Sequence, residues 1–172
     1  MKRTYFAYQY HLNHQTRYLI WFTADEDDAD GTAVAPDDIV PSFVSIAELV
    51  RYAEIHHLEP LDITNTRMCN LDTIAKWLKM KKMKRVRRID CAEFLAAWNL
   101  FEDISHSLKS TFDPDHALTQ KIYDKLFYGN NLPVITPEGK FYIPLWTGRE
   151  LVIIHHVMKT GLEMFRTHVK RP

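Results

Sequence analysis

Between Ile89 and Leu108 the chain reads IDCAEFLAAWNLFEDISHSL, and Phe94, Ala97, Trp98, Phe101, Ile104 and Leu108 recur at steps of three and four. That period predicts a helix with a wide apolar stripe. Its start is well specified. Asp90 is placed to cap the first amides, Glu93 stands at the third helical position, and Ile89 and Phe94 have the spacing of a hydrophobic staple. A stripe this wide has to be enclosed by other elements, so this helix is the expected centre of the fold.

The rest of the pattern supplies those elements. Thr4 to Tyr10 (TYFAYQY) and Arg17 to Thr23 (RYLIWFT) are rich in aromatic and β-branched residues. With Asn13 suited to the turn between them, they predict a hairpin. Ser45 with Glu48 has capping-box spacing and Val44 with Leu49 staple spacing, which predicts the helix SIAELVRYAEIHHL with Ile46, Leu49, Val50 and Ala53 buried. Leu61 to Thr64 reads as a short strand. Asn70 then caps LDTIAKWLKM, whose inward residues are Leu71, Ile74, Ala75 and Leu78.

After the central helix, Asp113 and Pro114 open DPDHALTQKIYDKLFYG, with Leu118, Ile122 and Leu126 inward and Gly129 as a left-handed stop. Leu132 to Ile135 and Lys140 to Leu145 flank Thr136, Pro137, Glu138 and Gly139, a turn with proline second, and predict another hairpin. Thr147 with Glu150 repeats the capping box and Trp146 with Leu151 the staple. The last helix then buries Leu151, Ile154, Val157, Met158 and Phe165. The sum is an α+β fold in a single domain, a mixed or antiparallel sheet packed on about five helices.

Composition adds a folded globular character, with 46% apolar and 26% charged residues over 172 positions. Lys plus Arg and Asp plus Glu number 22 each, which argues against a general polyanion binder. The charge is instead concentrated locally. Asp25, Glu26, Asp27, Asp28, Asp30, Asp37 and Asp38 make one acidic stretch, expected as an exposed loop because unpaired carboxylates are costly to pack together. Lys79, Lys81, Lys82, Lys84, Arg85, Arg87 and Arg88 make one basic stretch, running straight into the central helix. Cys69 and Cys91 have no metal-ligand spacing and read as free thiols of a reducing compartment. The first residues lack the apolar core of a signal peptide, and no apolar run approaches the roughly 18 residues that span a membrane. The expected location is the cytoplasm, without membrane contact.

Catalytic signatures are not evident. There is no G-x-S-x-G elbow, and the glycines are too dispersed for a phosphate loop. His56 with His57 and His155 with His156 point about 100° apart on a helix and chelate poorly. His11 and His14 have a workable spacing in the hairpin turn but no third ligand near them in the sequence, so no metal and no cofactor is expected. Cys91, at the first position of a helix, is better explained by packing than by reactivity. The adjacent carboxylates Glu102 and Asp103 face apart on their helix. The charge clusters remain. The basic stretch has the residues to grip phosphates but lacks interleaved aromatic rings to stack on bases. The acidic stretch suits a basic protein partner.

Three segments, AWNLFEDISHSL (Ala97 to Leu108), IYDKLFYGNNLPVITPEGKFYIPLW (Ile122 to Trp146) and SIAELVRYAE (Ser45 to Glu54), resemble the small bacterial immunity proteins of contact-dependent growth inhibition and related polymorphic-toxin systems. The resemblance rests chiefly on the second segment. It implies a protein without catalysis that binds one cognate toxin domain, often a nuclease, in the cytoplasm. The acidic residues Asp25, Glu26, Asp27, Asp28, Asp30, Asp37 and Asp38 are then the expected toxin-facing group. The alternatives are a nucleic-acid-associated protein using residues 79–88 and a small hydrolase.

Overall fold

The structure, a computed structural model, describes residues 3–24, 29–81, 89–110, 112 and 116–172. Its first element is the expected hairpin. β1 (Thr4–Leu12) and β2 (Gln15–Thr23) pair antiparallel from Thr4 against Thr23 to Leu12 against Gln15. The short β3 (Gly31–Thr32) adds to the β2 edge. On the other side β5 (Leu61–Asn70) runs parallel to β1, giving the order β3-β2-β1-β5. β4 (Val40–Pro41) pairs separately with β6 (Val169–Lys170). Among the described residues the helices are α1 (Ile46–Ile55), α2 (Leu71–Leu78), α3 (Cys91–Ser107), α4 (His116–Gly129) and α5 (Gly148–His168). The architecture is α+β with a mixed sheet.

Both faces of the sheet are covered, which explains why its hairpin is apolar in both phases. Tyr8, Tyr10, Leu19 and Trp21 face the core built by α2, α3, α4 and α5. Ala7 and Ile20, one residue out of phase, face Phe43 and the Leu49 and Ala53 side of α1. Strand side chains alternate between faces, so two cores need two interleaved apolar sets.

α3 lies at the centre, as its stripe requires. Asp90 accepts hydrogen bonds from the amides of Ala92 and Glu93. Phe94, Ala97, Trp98, Phe101 and Ile104 are buried, and so are Leu95 and Leu100, because α3 is enclosed on more sides than one stripe implies. The Glu93 carboxylate accepts from the Asn70 amide at 3.2 Å, tying α3 to the start of α2. Where α5 crosses α3, a Cβ at Gly161 would overlap the Phe101 ring, so glycine there sets how closely the two helices approach.

Several local expectations need correction. β5 is ten residues long, not four, and its register against β1 jumps from Asp62 to Arg67. The intervening residues form a bulge held by Asp62, which accepts from the Thr64 amide and hydroxyl and from Asn65; these bonds lower its carboxyl pKa to about 2. This bulge interrupts the strand pattern in the sequence. In α2 the deepest side chains include Trp77, which the predicted stripe omitted. Gly129 does not take a left-handed conformation. It ends α4 where a Cβ would come 2.6 Å from Cys91 Sγ, and Asn131 has the positive φ, 51°. Asp113 and Pro114, the expected start of α4, lie outside the described residues.

The second hairpin does not form. Residues 130–147 contain no strand, and the turn is displaced by one residue, with the Lys140 amide donating to the Pro137 carbonyl and Gly139 at φ 74°.

Replacing Gly161 with Ala should lower unfolding free energy by about 1–3 kcal/mol through overpacking. Denaturant unfolding measures this, and combining it with Phe101→Leu should recover part of the loss.

Candidate functional site

The segment that failed to become a hairpin is the most unusual surface among the described residues. Sequence alternation alone suggests strands here, yet Val134, Phe141, Ile143 and Leu145 are 95%, 75%, 79% and 84% exposed. Leu132, Ile135 and Tyr142 are also exposed, as is Tyr128 in the last turn of α4. A run of large apolar side chains turned to solvent is rare on a surface without a partner.

The backbone beneath them is held firmly. Asn131 works as a clamp, its Nδ2 donating to the carbonyls of Gly129 and Tyr142 at 2.9 Å while its Oδ1 accepts from the Tyr142 amide at 2.7 Å. At the far end Lys125 Nζ donates to the Leu145 carbonyl at 3.0 Å and pairs with Glu150 at 2.6 Å. Glu150 also completes the predicted capping box with Thr147. Its carboxyl pKa is lowered: burial pushes it up, but Lys125 and the Thr147 amide and hydroxyl outweigh that. Between this loop and the start of α3 lies a hollow of about 390 Å³ whose walls include Ile89, Cys91, Tyr142, Ile143 and Trp146. The Cys91 thiol pKa is raised, first by burial and then by Asp90, so the helix start does not activate it.

A second cluster joins the hairpin turn to α2. Asp72 accepts from the amides of Asn13 and His14 at 2.7 and 2.8 Å, one on each carboxylate oxygen. His11 Nε2 lies 3.6 Å and His14 Nδ1 3.7 Å from Asp72 Oδ2. The third partner absent from the local sequence is therefore supplied by a residue 58 positions beyond His14.

A third group lies between the sheet and α3. Trp21 Nε1 donates to Asp103 Oδ2 at 2.8 Å, and the Arg67 guanidinium sits 4.2 Å over the Trp21 ring. Burial raises the Asp103 carboxyl pKa to about 6; Asp30 and Glu102 add to this, while the Trp21 bond and Arg67 oppose it. Burial likewise raises Tyr8 well above its ordinary value. Asp103 thus faces the sheet rather than solvent, and its neighbour Glu102 accepts from Trp98 Nε1 at 2.8 Å.

The acidic residues expected to meet a partner are divided. Asp25, Glu26, Asp27 and Asp28 lie outside the described residues. Asp30 precedes β3 and is close enough to raise the Asp103 pKa. Asp37 and Asp38 are exposed in a 3₁₀ turn at positive φ, and the Asp38 carbonyl lies 2.8 Å from His168 Nδ1 in the last turn of α5. Of the basic stretch, Lys79 ends α2 and Lys81 is exposed just beyond it. Lys82, Lys84, Arg85, Arg87 and Arg88 lie outside the described residues. Both cysteines are free and buried. Among the described residues no helix is long and apolar enough to cross a membrane.

No family model matches the chain, and no curated protein matches it. The fold is similar to the C-terminal domain of SatS, whose crystal structure was determined in complex with bromine. The two share 14% identity over 98% of this chain and 94% of that one, with a TM-score of 0.55. At that identity the likeness defines the fold, an α+β domain.

Folding raises the pKa of Asp103 from its ordinary 3.8 to about 6. Between those values the folded state binds more protons than the unfolded chain, so this group's contribution to stability falls as pH rises across the window. Asp103→Asn, which keeps an acceptor for Trp21, should abolish that fall. Relative to the unmodified protein it should gain about 1–3 kcal/mol between pH 4 and pH 7, on roughly 1.4 kcal/mol per pKa unit. Urea unfolding at the two pH values checks it.

Proposed function

We propose that the protein acts by stoichiometric binding to another protein, as an immunity-type inhibitor of a cognate toxin domain. The observation that supports this reading is the loop 130–147. It presents large apolar side chains to water on a backbone fixed at both ends by side-chain hydrogen bonds. Such an arrangement suits tight association. Apolar and aromatic anchors supply most of the affinity in protein interfaces, and a surface already ordered before contact loses less conformational freedom on binding. All of the loop but Thr147 falls within Ile122 to Trp146, the segment that chiefly carries the resemblance to immunity proteins.

In this reading Phe141, Ile143 and Leu145 enter the partner, and the hollow beside Cys91 and Trp146 receives a side chain in return. The acidic residues Asp25, Glu26, Asp27 and Asp28 steer a basic toxin toward the inhibitor without supplying most of the affinity. Inhibition follows from covering the toxin's working surface, so no bond has to be made or broken by this chain.

The direct experiment is co-expression with the polypeptide encoded beside this gene, reading growth and isolating the complex. Rescue of growth together with a one-to-one complex is the expected result; a harmless neighbour that forms no complex would sink the proposal. Phe141→Ser with Ile143→Ser should weaken the complex by at least 100-fold, on the scale of about 2 kcal/mol or more for an interface anchor. The melting temperature of the free protein should hardly change, since both side chains are already exposed. Asn131→Ala should weaken it less, by releasing the loop. Converting Asp25, Glu26, Asp27 and Asp28 to their amides should reduce the association rate and its salt dependence while leaving dissociation nearly constant.

A further inference from the structure

We propose that His11, His14 and Asp72 form a binding site for a divalent transition-metal ion of the zinc class. Each offers one donor atom, and the three donors lie within 4.8 Å of one another. Two edges of this triangle, from Asp72 Oδ2 to His11 Nε2 and to His14 Nδ1, measure 3.6 and 3.7 Å. Tetrahedral zinc with bonds of about 2.0–2.1 Å places neighbouring donors about 3.4 Å apart. A shift of a few tenths of an ångström therefore brings both edges to bonding geometry. The His14 side chain is 96% exposed and turns without displacing any packed group.

The surroundings orient the donors as ligand supports do. His11 Nδ1 lies 3.2 Å from Thr16 Oγ1. With the proton on Nδ1 and donated to the hydroxyl, Nε2 keeps its lone pair toward Asp72, the tautomer that a metal requires. Asp72 is aimed by two backbone amides, and the Oδ2 that faces both imidazoles keeps bonding capacity beyond its single amide hydrogen bond. Residue choice in the turn points the same way. Asn13 and His14 both have positive φ, 54° and 59°. Turns of this kind favour glycine at the second position, where a β-carbon is strained. A histidine there supplies an imidazole that the turn does not need.

Donor chemistry selects the ion. Two imidazoles and one carboxylate suit zinc, cobalt or nickel, whereas calcium and magnesium want oxygen ligands throughout. Three protein donors leave a further position toward solvent, open to water or to a carboxylate or imidazole from another molecule. The bound ion would also clip the β1–β2 turn to the start of α2, joining two segments far apart in the chain.

The test uses the full chain without a histidine tag, at about pH 8, because metal ions bind deprotonated ligands. Zn²⁺ is titrated by calorimetry, and Co²⁺ by its visible absorption. The expected result is one equivalent bound, strong four-coordinate cobalt bands and a Zn²⁺-dependent rise in melting temperature. His14→Ala should retain the metal-free melting temperature yet lose at least tenfold in affinity together with the Zn²⁺-induced rise. Thr16→Val should weaken binding about tenfold, the usual cost of a lost supporting hydrogen bond. No uptake at sub-millimolar zinc would mean a histidine–carboxylate contact only and would overturn the proposal. Uptake unchanged by both His14→Ala and His11→Ala would place the metal elsewhere and overturn it equally.

Discussion

Enclosing α3 is the constraint on which the rest of the structure depends. Its buried residues occupy more than one face, so neither a sheet nor a single helix can cover it. The sheet takes one side, α2, α4 and α5 the others, and the approach of α5 is set by the Phe101 ring against a glycine. This close packing explains how a chain of this size can carry apolar side chains outside its core. The core is complete without them.

Local signals made much of this legible. The caps of α1, α2, α3 and α5 were each written in one or two side chains adjacent to the helix, and each forms hydrogen bonds in the structure. The first hairpin was equally clear, because alternating aromatic residues and a turn-forming asparagine are neighbours in sequence. What stayed hidden depended on distance. The apolar run around Val134 and Phe141 has the composition of strands, and only the bonds of Asn131 and Lys125 to remote carbonyls show that it is held open as a loop. Gly129 does end α4, but without the left-handed conformation expected of it, and it leaves room for Cys91.

The candidate sites divide along the same line. His11 and His14 were visible as a spaced pair, but Asp72 reaches them only because β5 returns parallel to β1 and delivers the start of α2 to the hairpin turn. Asp103 stands in sequence only as one of two adjacent carboxylates; the fold turns it toward Trp21, where burial changes its proton affinity. In both cases topology rather than composition assembles the chemistry. The exposed loop and the turn cluster belong to separate parts of the molecule's surface, one between α4 and α5 and the other at the β1–β2 turn.

The position of β1 has a consequence for the order of assembly. One of its edges is matched by β2 after a two-residue turn, and such a hairpin closes on the microsecond scale, about 1–10 μs. Its other edge waits for β5, which is reached only after β3, β4 and α1 have been traversed. Closing so long a segment costs chain entropy before the parallel pairing returns any of it. During that interval Tyr8, Tyr10 and Trp21 have no helices over them, and the β5-facing edge of β1 is unpaired. The first strand therefore passes through an aggregation-prone state with an open edge, before the loop between α4 and α5 takes shape.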